Sequence, residues 1–212
     1  ELDMPLFIKL NYLSDNVVRE DGVYLIPFKN AVVNLHKSSR IIALKRNIEI
    51  GLTKLHKSQA ETLLRMAENA VWLSEGGASL YYNTTTDICR SAVFKTGYFN
   101  VNAGCVIVCA KKISLGEDVM MGRNNIIYDS DHHQILDKEG RVINKGKEVV
   151  IEDKVWLTSN VHVLKGAHIG RDTIVASYTT ITGKIEQGSM VAGGAKPRVL
   201  RDHAKWSREG VR

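Results

Sequence analysis

Ile151, Leu157, Val163, Ile169, Val175 and Ile181 recur every sixth residue through the stretch IEDKVWLTSNVHVLKGAHIGRDTIVASYTTI, residues 151–181. All are aliphatic. The position four later in each unit is small or β-branched: Val155, Val161, Ala167, Thr173 and Thr179. Most of the places between are polar, as in Glu152-Asp153-Lys154 and Gly170-Arg171-Asp172. A period of six matches neither the 3.6-residue helix nor a strand of simple alternation. It matches a parallel β-helix, in which each hexapeptide forms one side of a three-sided coil. The aliphatic residue then points inward and stacks on its counterpart roughly 18 residues later. Each coil buries its interior only against its neighbours, so stability is shared along the stack.

The period continues upstream with slips. Leu115, Met121 and Ile127 keep it, with Gly116 and Gly122 following two of them. Met66-Ala67-Glu68-Asn69-Ala70 followed by Trp72 also fits. Ser58 and Glu61 resemble a capping box, which makes an amphipathic helix over 58–73 the alternative there. Coils are preferred. The expected organisation is an irregular N-terminal cap and first coils over 1–60, a β-helix over 61–201 and a short C-terminal tail over 202–212.

After Ile127 the series resumes only at Ile151. The intervening segment, 128–148, is polar and carries two adjacent histidines, so it reads as a loop protruding from a coil. Excursions from a rigid scaffold are where chemistry concentrates.

Composition agrees with an all-β fold. Of 212 residues only 3 are proline and 17 are glycine, so turns fall to Gly, Asn and Asp. With 44% apolar and 25% charged residues, extended disorder is excluded. A net charge of +6 permits an anionic partner, and no Lys/Arg tract of the nucleic-acid-binding kind is present. No apolar run reaches the roughly 18 residues that a membrane span needs, and Glu1-Leu2-Asp3-Met4 does not read as a signal peptide. Cys89, Cys105 and Cys109 lack metal-ligand spacing and read as buried thiols of a reducing, cytoplasmic compartment.

The loop contains Asp129-Ser130-Asp131-His132-His133-Gln134-Ile135, followed by Ile143-Asn144 and then Val155-Trp156-Leu157. With the hexapeptides, this constellation resembles the left-handed β-helix acyltransferases, in the group of galactoside, maltose, nodulation-factor and serine acetyltransferases. It is most similar to the sugar O-acetyltransferases that modify capsule and lipopolysaccharide. The resemblance is strong over about 113–201 and weak before about 60.

The chemistry such a family performs needs a histidine. Acyl transfer from a thioester to a hydroxyl requires that the hydroxyl proton leave as attack occurs. Imidazole, with an ordinary pKa of about 6.5, takes that proton and returns it to the leaving thiolate. The family's Asp-x-His pattern places the base at His133, with Asp131 or a loop carbonyl orienting it and His132 as the runner-up. The resemblance further implies that Trp156 borders the substrate channel and that Asn102, or its neighbour Asn100, orients the acceptor or the oxyanion.

For the donor, acetyl-CoA, the resemblance implies Ser159, Ser177, Thr182 and Lys184. It adds Arg198 and Arg201 in the segment Gly194-Ala195-Lys196-Pro197-Arg198-Val199-Leu200-Arg201, where basic groups would face the phosphates of coenzyme A. The family's glycines are missing around Ala176-Ser177-Tyr178-Thr179, and its proline is displaced by one. A homotrimer with sites between subunits, a glycan acceptor, no metal, no nucleic acid and association with membrane-bound polysaccharide assembly complete the implied picture.

Other readings remain open on the sequence. Transfer to an amine of an amino sugar or nucleotide sugar keeps the fold and changes the acceptor. A zinc enzyme of the γ-carbonic anhydrase type would need three shared histidines. His162 and His168 fall on adjacent faces of one coil, which suits surface histidines better. A non-catalytic solenoid would bind no coenzyme A.

Overall fold

The computed structural model describes residues 1–53, 55–193 and 198–201. The chain winds into an all-β, left-handed parallel β-helix with three sheets as its sides. Among the described residues, an eight-stranded first sheet begins at Val17–Arg19, a nine-stranded second sheet at Leu25–Pro27 and a seven-stranded third sheet at Ala31–Leu35. The chain visits the three in turn, and each strand pairs with the strand one coil later. Coils therefore already form within 1–60, from Val17 onward.

The six-residue rule places the core. Ile151, Leu157, Val163, Ile169, Val175 and Ile181 are all buried, as are Val155, Val161, Ala167, Thr173 and Thr179. Register stacks them as the period requires: Ile151 beside Ile169, Leu157 beside Val175, Val163 beside Ile181. Across the loop the stacking continues unbroken, with Leu115 beside Ile151, Met121 beside Leu157 and Ile127 beside Val163. The loop is thus an insertion at one corner that leaves the coil intact.

Corners repeat with the same period. Lys154, Asn160, Gly166, Asp172 and Tyr178 have φ of 54°, 59°, 80°, 55° and 61°. This left-handed conformation turns the chain from one face to the next, and it suits Gly, Asn and Asp best. Tyr178 is the misfit, bulky and 75% exposed. Tyr178→Asn is expected to raise stability by about 0.5–1 kcal/mol, read by urea denaturation. A loss of stability would mean that the tyrosine ring packs usefully despite its exposure.

Upstream coils are longer and are filled by aromatics where the aliphatic period slips. Trp72, Phe94 and Phe99 are fully buried, with ring centroids 5.4–6.3 Å apart. The indole N–H of Trp72 donates to Thr96 Oγ1 at 3.1 Å. Strands Thr62–Met66 and Val71–Ser74 occupy the segment for which a helix was the alternative. There the Ser58 hydroxyl accepts from the Ala60 amide, a local turn and not a helix cap.

Between the first and second sheets, glycines let successive coils approach. A Cβ on Gly76 would lie 2.2 Å from the Tyr98 nitrogen, and one on Gly97 would lie 2.7 Å from the Gly116 oxygen. Gly76→Ala is expected to cost about 1–3 kcal/mol through backbone displacement, measured by chemical denaturation. An unchanged midpoint would contradict the close approach.

The first coil is closed by helix Met4–Ile8 and the π-helical turn Lys9–Leu13. The side-chain amide of Asn11 bonds both backbone groups of Leu25, at 2.7 and 2.9 Å, satisfying the open edge of the second sheet. At the other end, Arg198–Arg201 folds back antiparallel on Met190–Ala192. The 202–212 tail lies outside the described residues, as do residues 194–197. Cys105 and Cys109 are buried and Cys89 is half-buried, all as free thiols. Burial pushes the Cys105 thiol up to about 11. Among the described residues no helix is long and apolar enough to cross a membrane.

Candidate active site

Strand Ile126–Tyr128 ends on the third sheet, and strand Val149–Ile151 begins on the first. The histidine loop therefore leaves and returns at the corner between those two sheets. Its root is gripped by Asp129, which is fully buried. The Asp129 carboxylate accepts from three successive amides of the preceding coil, Ala110 and Lys111 at 2.7 Å and Lys112 at 2.6 Å. Its carbonyl accepts from the Lys147 amide at 2.9 Å. One residue thus ties the outgoing arm, the returning arm and the coil above.

Beyond the root, the loop is held by Asn144. Its Nδ2 donates to the His133 carbonyl at 2.8 Å and to Asp131 Oδ2 at 2.9 Å, while its Oδ1 accepts from the Ile135 amide at 2.7 Å. The His133 amide donates to the Asp131 carbonyl at 2.7 Å. The His133 backbone is thereby fixed from both sides, and its side chain belongs to the exposed surface of the loop. His132, with φ 61°, turns the other way and meets the Tyr128 ring edge-on at 5.6 Å. The two histidines thus differ: His132 packs edge-on against Tyr128, and His133 is held by its backbone with its side chain exposed.

Asp131 directs its carboxylate at the Lys165 ammonium and Asn144, and not at an imidazole. The Lys165 hydrogen bond holds the Asp131 carboxyl below its ordinary value, with Asn144 adding to the effect. A lowered folded-state pKa means that these contacts favour the ordered loop above the ordinary carboxylate range, and that the support is lost as pH falls through the lowered value. In Lys165→Met the Asp131 carbon resonance is expected to titrate at higher pH than in the parent. An unmoved midpoint would show that Lys165 does not hold it.

The remaining residues singled out from the sequence divide among the corners. Trp156 lies on the second sheet, between Met120 and Ile174, on the face opposite the loop corner. Asn102 follows a strand of that sheet and spends its Oδ1 on the Ala103 amide at 2.8 Å. Asn100, one coil above Met120 and two above Trp156 in the same row, has a buried Oδ1 with no partner among the described residues. Ser159 and Ser177 come together at the corner between the second and third sheets, where Ser177 Oγ accepts from the Ser159 amide at 3.4 Å and lies 3.1 Å from Thr158 Oγ1. Thr182 and Lys184 lie instead at the loop's own corner, and Lys184 pairs with Glu186 at 2.9 Å. Arg198 and Arg201 sit on the antiparallel strand that ends the second sheet.

Two residues of this region escape a reading by period. One is Asp129. The other is Asn125, fully buried, whose amide donates to the Thr158 carbonyl at 2.8 Å and accepts from the Val161 amide at 2.7 Å. It welds the coil before the loop to the coil after it. Among the described residues no three His, Cys, Asp or Glu side chains gather as a metal site. A groove of about 790 Å³ runs along the corner between the first and second sheets, away from the loop. Several of its charges pair across coils, as in Arg46–Glu117 and Lys95–Glu75.

Residues 148–183 match the family "Bacterial transferase hexapeptide (six repeats)", the segment where the period is strictest. The fold is a hexapeptide-repeat β-helix, and this segment of it matches a bacterial transferase model. More particularly, the chain is similar to sugar O-acetyltransferases. It is 31% identical over 112 residues to galactoside O-acetyltransferase of Lactococcus lactis, covering 53% of each chain. It is 46% identical over 56 residues to polysialic acid O-acetyltransferase of Neisseria meningitidis, covering 26% of each. The chain therefore spans about half or less of the length of these relatives. The crystal structure of the polySia-specific acetyltransferase NeuO superposes with a TM-score of 0.56, covering 92% of this chain and 91% of that one at 19% identity, a likeness of fold.

Proposed function

We propose that this protein transfers an acetyl group from acetyl-CoA to a hydroxyl of a sugar in a cell-surface polysaccharide or its precursor. The observation that carries the reading is the anchored loop. It presents an exposed histidine on a fixed backbone, at one corner of a rigid solenoid whose repeats match bacterial transferases. The names of the relatives, galactoside and polysialic acid O-acetyltransferase, support an oxygen acceptor.

His133 removes the hydroxyl proton as the oxygen attacks the thioester carbonyl, and passes it to the departing coenzyme A thiolate. With both substrates bound together, no covalent enzyme intermediate is needed. Backbone N–H groups hold the tetrahedral oxyanion. Asn144 and Asp131 position His133 through its main chain.

Within one chain, Trp156 and the Ser159–Ser177 corner face away from the loop. A homotrimer that sets the loop of one copy against that side of its neighbour reunites them, and the exposed apolar side chains Ile135, Leu136 and Ile143 of the loop suit such a contact. Arg198 and Arg201 then serve the phosphates of coenzyme A. Free thiol should be released from acetyl-CoA only when a suitable glycan is present. Thiol release that ignores every glycan, or a product acetylated on nitrogen and stable to mild alkali, would overturn the reading.

A further inference from the structure

Three consecutive coils carry a lysine at the same place on the loop corner. Ile113 pairs with Val149 and Val150 pairs with His168, so Lys111, Lys147 and Lys165 fall in one row along the solenoid axis. Neighbouring strands are about 4.8 Å apart, so this row stacks like charges on adjacent coils at a cost. Lys165 is answered by Asp131. Lys111 and Lys147 are exposed, and among the described residues neither ammonium has an ion-pair partner.

The nearby carboxylates are otherwise engaged. Asp129 is consumed by backbone amides. Glu148 feels the charge of Lys111, but its oxygen bonds Lys112 at 2.8 Å and Ser114 at 3.0 Å. Both lysines also flank the neck of the loop. A Cβ on Gly146 of the returning arm would lie 3.9 Å from Lys111 Cβ, and one on Gly166 would lie 3.2 Å from Lys147 Cδ.

We infer that Lys111 and Lys147 form an anion subsite that holds an acid group of the acceptor, so that the acceptor is an acidic glycan with its hydroxyl at His133. The inference rests on the acetyl-transfer reading. A carboxylate or phosphate bridging two ammonium groups one coil apart removes their mutual repulsion and fixes the chain of sugars along the corner. The same oxyanion chemistry could come from the phosphates of coenzyme A, and kinetics with each substrate varied separately tells the two apart.

Lys111→Gln, Lys147→Gln and the double variant are to be assayed with oligomers of sialic acid and of galacturonic acid, and with neutral galactose oligomers as the contrast. The expected result is a KM for acidic acceptors raised about tenfold by each substitution. The KM for acetyl-CoA and the rate with neutral acceptors should be unchanged, and the parent's acidic-acceptor KM should rise with salt. A rise in the KM for acetyl-CoA instead would assign the subsite to the donor and overturn the inference, as would no change in either KM. Calorimetric titration of the parent and the double variant with the same acidic oligomers keeps the test separate from catalysis. Binding lost in the double variant supports the subsite even if no acetyl transfer is found, and equal binding overturns it.

Discussion

Replacing His133 with alanine is expected to lower kcat for acetyl transfer by about 10²–10⁴-fold, the range that a positioned general base contributes. The KM for acetyl-CoA and the melting temperature should stay near those of the parent, because the loop holds His133 through its amide and carbonyl and both survive the change. His132→Ala is the matched control. Its ring packs on Tyr128, so its loss should alter activity by less than about tenfold. Full activity in His133→Ala, or an equal loss in both variants, would remove His133 from its role.

The second large effect is structural. Asp129→Ala would leave three partly buried amide donors without their acceptor, each worth up to about 1–3 kcal/mol when unsatisfied. Water entering the gap would recover part of that. A net loss of about 3 kcal/mol, or about 6–12 °C in Tm, is expected. Asp129→Asn keeps one acceptor oxygen and should fall between. Because the Asp129 carboxylate fixes the outgoing arm to the coil above, loop amides from 130 to 147 should exchange hydrogen faster in the alanine variant, although the Asp129 carbonyl still accepts the Lys147 amide. An alanine variant as stable as the parent, with its loop root equally protected, would show that the carboxylate is dispensable.

Much of this architecture could be read from spacing. Six aliphatic residues at a strict interval located the interior of the last coils, and the interrupted series after Ile127 located the loop and its corner. What spacing could not reveal has two physical sources. In the early coils, Trp72, Phe94 and Phe99 fill the interior with large side chains, and the coil from Arg40 to Val71 is longer than those downstream, so the period breaks although the fold continues. At the site, the partners of Asp129 are backbone amides of the preceding coil, which no residue identity announces. Asp131 shows the same limit. A carboxylate two residues before a histidine suggests an orienting pair, yet the coil below supplies Lys165, a stronger partner for a carboxylate than a neutral ring. The resemblance implies Trp156 at the substrate channel and Ser159 and Ser177 at the donor in sites between subunits, and within one chain they lie on another side from the histidine loop.

The role proposed for His133 is the transfer of acetyl to a sugar oxygen. Its most direct test is mass spectrometry of glycans incubated with the parent protein and acetyl-CoA, before and after mild alkali. An added acetyl group that alkali removes, and that is absent with His133→Ala, is the expected result. No acetylated product from any acidic or neutral glycan, together with no thermal stabilisation by coenzyme A, would contradict it and leave a solenoid that binds without catalysis.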